Sequence, residues 1–148
     1  MKIAIFLHLV GALIWIGGML FAYSSLRPSA AILERPQRLA LWSETLARFF
    51  RWVWASVAMI FGSGFYMLSF LSGAARVPAN VHIMLYIGIV MLFVFLYVVL
   101  VPFPALRRAV GDQNWDAGAT ALDVIRKAVA LNLALGLVNV AVATIGRM

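Results

Sequence analysis

The sequence predicts an all-α membrane protein, a four-transmembrane-helix up-down bundle with both termini periplasmic. Three observations lead there. The chain of 148 residues is 65% hydrophobic and only 11% charged, with a mean hydropathy of +1.01. A soluble domain of this length has no interior large enough for that apolar load, whereas a bilayer is a suitable solvent for it. The apolar residues also fall into four separate stretches, each close to the roughly 17–25 residues that cross a hydrocarbon core as a helix. Finally, the basic residues gather in the first and third of the connecting loops. These stretches organise the chain as a single domain, residues 1–148, without repeats, linkers or low-complexity tracts.

The first span runs from about Ile3 to Ser24. It is too long for the apolar core of a cleaved signal, and Leu26, Arg27 and Pro28 do not resemble a small-residue cleavage site. The loop that follows, Ser25 to about Arg48, carries Arg27-Pro28 and Arg35-Pro36. Within it Leu39, Trp42, Leu46 and Phe49 or Phe50 recur at helical spacing among Arg38, Glu44 and Arg48. That pattern predicts an amphipathic lead-in lying at the cytoplasmic interface. The second span follows at about Trp52 to Leu71, and a short outer loop, Ser72 to Asn80, ends in Pro78 and Asn80 as stop and N-cap. The third span covers about Val81 to Phe103. The loop from Pro104 to Leu122 holds the turn and capping residues Gly111, Asp112, Asn114 and Asp116. The fourth span is about Ala128 to Ile145.

The net charge of +7 has a placement that decides its meaning. Arg27, Arg35, Arg38, Arg48 and Arg51 flank the first loop, and Arg107, Arg108, Arg126 and Lys127 flank the third. Only Lys2, Arg76 and Arg147 fall on the other side. This is the positive-inside pattern of a multi-pass protein of the bacterial inner (cytoplasmic) membrane. Basic residues split between two loops and bordering membrane spans are not a nucleic-acid footprint. The chain has no cysteine, which excludes disulfides, iron–sulfur clusters and thiolate metal sites.

Two histidines, His8 and His82, stand just inside the first and third spans, and an ionisable side chain at such depth is a functional-site hypothesis by default. Spans one and three run in the same direction and are diagonal in an up-down bundle. At 1.5 Å per residue the two imidazoles differ in depth by about 5 Å. This spacing suits two axial ligands of one iron porphyrin, imidazole being the commonest haem and metal ligand; the structural alternative is two interfacial histidines bonded to neighbouring helices. Around His8 the segment reads HLVGALIWIGGM, so Gly11, Trp15 and Gly18 share its face, where small residues admit a flat ring or a neighbouring helix and Trp15 offers a stacking surface. On the third span Tyr86 lies four residues after His82, with Phe93 and Tyr97 further along. Asn132, Gly136 and Asn139 make one face of the fourth span, where amides serve as interhelical glue. The competing chemistry is copper, because imidazole plus thioether suits the monovalent ion; Met67 and Met84 are the thioethers near the histidines.

The stretches HLVGALIWIGGMLFAYSSLRP, ARFFRWVWASVAMIFGSGFYM, VHIMLYIGIVM and IRKAVALNLALGLVNVAVA resemble the small, single-domain members of the copper-resistance protein D (CopD-like) membrane family. The sharpest element is His-x(6)-Trp-x-Gly-Gly at His8, Trp15, Gly17 and Gly18. The resemblance implies copper handling across the inner membrane. The first span is similar also to the short membrane-embedded protoporphyrinogen oxidases, a haem b group whose first-span histidine is paired with a third-span lysine. The third span here has no lysine, and His82 stands in as a second imidazole. The expectation is therefore a haem b protein with bis-histidine ligation near the periplasmic face, used for electron transfer or redox sensing. No carboxylate lies in any span, so a carboxylate proton relay is not expected. Copper binding or transport is the alternative, and a structural accessory subunit of a membrane complex the third. Besides the lipid bilayer, the partners expected are a redox protein or a second copy of the chain, and not nucleic acid. The orientation is checked by reporter fusion: alkaline phosphatase is expected to be active after Met148 and inactive after Arg108.

Overall fold

The computed structural model describes residues 1–72 and 77–146. Helix α1 (Lys2–Phe21) passes through a π turn at Ala22–Leu26 into the short α2 (Arg27–Ala30), near whose start Pro28 stands. After a turn the chain enters α3 (Arg35–Ser72), an unbroken helix of 38 residues. Helix α4 (Ala79–Leu100) begins after Pro78 and stops at Val101, where φ is −116° and ψ −75°. The cause is local. Pro102 has no N–H to donate and its ring crowds the preceding residue, whose torsions are displaced from those of a regular helix. The chain resumes as α5 (Pro102–Gly111), turns through Gln113 at φ 55°, and enters α6 (Trp115–Ile145). Asn114 caps α6, its Oδ1 accepting from the Ala117 N–H at 3.2 Å.

Four helical segments are long and apolar enough to cross a membrane, Lys2–Ala30, Arg35–Leu71, Ala79–Gly111 and Trp115–Ile145. No strand occurs among the described residues. The chain is an all-α, four-helix membrane protein. Its helices run well past the expected boundaries at the arginine-rich end. The segment from Pro36 to Phe50 is not a separate interfacial helix but the first part of α3. Its predicted apolar stripe is real, yet Leu39, Trp42, Leu46 and Phe50 are buried in the protein, in one cluster with Leu106, Ala121 and Ile125 of α5 and α6. Ion pairs tie this storey together from outside, Arg35 with Asp116 at 2.8 Å and Arg107 with Glu44 at 2.9 Å. Of the three basic residues expected at the opposite end, Arg76 and Arg147 lie outside the described residues.

The helices associate in two pairs, α1 with α3 and α4 with α6, while the backbones of α1 and α3 scarcely approach α4. Gly11 makes the first pair close: a methyl added there would sit 2.8 Å from Ile60 Cγ1 and 3.0 Å from the Ser56 carbonyl oxygen. In the second pair the Asn132 amide donates to the Met91 carbonyl at 3.0 Å and Asn139 to that of Met84 at 3.4 Å. The pairs join through rings. Phe95 of α4 meets Trp15, Phe50 and Trp54 edge-on, with centroids 6.0, 5.6 and 5.1 Å away. Such contacts contribute about 0.5–1.5 kcal/mol each beyond burial.

Gly17, six residues from Gly11 and on the outer side, has open space where a Cβ would stand. Gly11→Ala should therefore lower stability in detergent by about 1–3 kcal/mol, read as a fall in the thermal midpoint, and Gly17→Ala should leave it unchanged.

Candidate functional site

At the end of the bundle opposite the arginines, a cavity of about 410 Å³ opens between the two helix pairs, with all four long helices contributing to its wall. The gap follows from the pairing, since α3 and α4 are held apart by side chains. His8 of α1 enters this cavity, as do Met67 of α3, Met84 of α4 and Asn139 of α6. The lining carries no carboxylate, lysine or arginine. All five acidic residues of the chain belong to the other end or its loops.

His8 is held by α3. Its Nδ1 lies 3.0 Å from the Ile60 carbonyl oxygen and 3.1 Å from Ser63 Oγ. A carbonyl only accepts, so Nδ1 carries the hydrogen. Ser63 is compatible with this, because its own hydroxyl donates to the Met59 carbonyl, one turn back. The neutral ring consequently keeps its lone pair on Nε2, which has no hydrogen-bond partner among the described residues. An imidazole fixed through one nitrogen by a backbone carbonyl, with the other nitrogen free, is the usual arrangement of a metal-binding histidine. Gly64 adjoins the ring: a Cβ there would lie 3.5 Å from His8 Cε1. Across the cavity, Asn139 Oδ1 is buried without a hydrogen-bond partner. Among the described residues no three His, Cys, Asp or Glu side chains gather as a metal site. The donors available around His8 are one imidazole nitrogen, two thioethers and an amide oxygen.

The sequence expectation pairs His8 with His82, and the rotation of α4 does not bring His82 to the cavity that holds His8. His82 is exposed and outside the cavity lining. Two residues on, Met84 begins the inward stripe, continued by Gly88, Met91, Phe95 and Val98. His82, Tyr86, Phe93 and Tyr97 form the outward side, with Tyr86 66% exposed. Equal depth is thus not enough; the two imidazoles face different surroundings, and bis-histidine haem ligation draws no support from this arrangement. Nor do the other residues expected around a macrocycle surround one. Trp15 is 3% exposed and packed edge-on against Phe95. Gly11 and Gly18 are filled by α3, the latter by the Phe49 ring. The inward face of α1 through His8, Gly11, Trp15 and Gly18 was legible, but it serves packing below the first two turns. Sequence reasoning missed the part played by Ile60 and Ser63. Its available signal was a serine deep in an apolar span, which needs an acceptor and leaves an oxygen lone pair for a neighbour.

Residues 43–145 match the family of copper resistance protein D. The matched stretch contains Ser63, Met67, Met84 and Asn139 and begins after His8. No curated protein and no solved structure matches the chain.

Proposed function

The chain belongs to the copper resistance protein D family, and from that premise we propose that it handles copper at the outer face of the inner membrane, taking up the monovalent ion in the His8 cavity. The observation that carries this reading is the donor set. Monovalent copper is soft and favours thioether and imidazole ligands, and His8 Nε2, Met67 and Met84 line one neutral cavity. Asn139 Oδ1, buried without a partner, is a fourth polar atom on the same wall. A neutral, low-charge lining also avoids trapping the harder divalent ions, which favour oxygen ligands.

Each residue has a separate part. His8 supplies the strongest donor, and the Ile60 carbonyl and Ser63 hold its ring in the tautomer that leaves Nε2 free. Met67 and Met84 come from opposite helix pairs, so an ion between them ties α3 to α4 where the backbones do not meet. Deeper in the bundle, below the cavity, the space between the helices is filled by Trp15, Phe50 and Phe95, all buried. A single bundle so filled is a binding station rather than an open conduit. The arginine distribution favours the periplasmic side for the cavity mouth.

Titrating the detergent-purified protein with cuprous ion against a chromophoric chelator, under reducing conditions, tests the reading. One ion per chain is expected. His8→Ala and the double change Met67→Leu, Met84→Leu should each abolish stoichiometric binding, and His82→Ala should not alter it. A copper-free protein carrying a Soret band, or equal losses from His8→Ala and His82→Ala, overturns the proposal. Ser63→Ala gives a finer check. Loss of the group behind a metal-binding histidine typically weakens affinity about 10–100-fold, and a fall of that size is expected with the stoichiometry unchanged.

A further inference from the structure

A second cavity, of about 310 Å³, lies at the arginine-rich end between the π turn after α1, the first half of α3 and α6. Its rim and its floor differ in kind. Arg27, Arg38 and Arg126 reach it from three different helices, and all three are half-buried, unlike the exposed Arg48 and Arg51. The floor is apolar: Leu39 and Leu46 are 1% and 3% exposed, and Trp42 is 9% exposed.

The charge there is not balanced by protein. One carboxylate, Asp123, lines the cavity, and it is shared by Arg126 and Lys127. Arg27 lies over the Tyr23 ring at 5.2 Å, and neither Arg27 nor Arg38 has an ion-pair partner among the described residues. Two guanidinium groups so placed beside apolar walls match a phosphate with an attached hydrocarbon, since the planar donors of arginine suit phosphate oxygens. The π turn itself, Ala22–Leu26, contributes Ala22 and Tyr23 to the wall. Such local widenings of a helix are frequent at functional sites.

We propose that this cavity binds the phosphate headgroup of an anionic phospholipid between Arg27 and Arg38, with the start of its acyl chains over Leu39, Trp42 and Leu46. Basic pockets between membrane helices on the positively charged side bind such headgroups. An apolar floor gives the lipid an advantage that free phosphate lacks.

The test is native mass spectrometry of the full chain released from neutral detergent after exposure to phosphatidylglycerol, phosphatidylcholine or inorganic phosphate. One phosphatidylglycerol per chain is expected to be retained, phosphatidylcholine lost, and phosphate unable to displace the lipid. Removing both guanidinium groups, Arg27→Gln with Arg38→Gln, should weaken retention about thirtyfold. The same charge loss at Arg48→Gln with Arg51→Gln should leave it unchanged. Equal retention of the two lipids by the unaltered protein overturns the proposal whether or not any variant folds. Displacement by phosphate alone overturns the lipid assignment, and equal weakening in both double variants overturns the site. Cuprous-ion binding should be untouched in either pair, which separates this inference from the copper reading.

Discussion

Lipid tails are as apolar as leucine, so burying leucine against leucine does not drive helices together inside a bilayer. The way the helices pair within the span follows from that constraint. Association has to come from close backbone approach, from amide hydrogen bonds and from ring packing. The first appears at Gly11, where α1 sits against the Ser56 carbonyl. The second appears where two asparagines of α6 donate to carbonyls of α4. Each device joins one pair of helices. In the middle of the span the pairs are bridged by the rings around Phe95, with Ile16 of α1 seated against Gly136 of α6. Above them the pairs part, and the gap is the His8 cavity.

The copper reading depends on this separation. A histidine on one pair and a methionine on the other line one cavity because side chains, Phe61 beside Gly88 among them, hold the backbones of α3 and α4 apart at that level. The hydrogen bond from His8 Nδ1 to the Ile60 carbonyl then gives the ring a fixed orientation at little entropic cost. The cavity has an organised donor on its α1 wall and more adaptable thioethers on α3 and α4, the flexible and polarizable side chain being suited to an irregular gap.

Much of this was legible in the sequence, and the exceptions share a cause. The inward faces of α1 and α6 are marked by glycines and amides, which have no reason to face lipid, and the structure turns both inward. Helix α4 is apolar all round, so its rotation leaves little trace in the pattern. There the His82, Tyr86, Phe93, Tyr97 side looked like a lined pocket, yet aromatic and amphipathic groups are well tolerated toward lipid and its headgroups. The more telling residues were Met84 and Gly88, one of them without a side chain. The segment before Trp52 was misplaced for another reason. An amphipathic stripe reads the same whether a membrane surface or α5 and α6 cover it, and sequence spacing does not distinguish the two covers.

Helix α3 has 38 residues, a length of about 57 Å at 1.5 Å per residue. A hydrocarbon core is about 30 Å thick and membrane helices tilt by up to about 40°, so one rod passes through two solvents. Its later half obeys the rules of lipid, where a leucine is neutral and a glycine contact decides affinity. Its earlier half reaches past the hydrocarbon toward the headgroups and water, and there Leu39 and Leu46 are buried chiefly by protein. There, deleting a buried leucine costs about 2–5 kcal/mol, as in any soluble core. The same substitution therefore has two different meanings along a single uninterrupted helix, and urea, which acts by solvating apolar and peptide groups from water, should loosen the storey nearer water first.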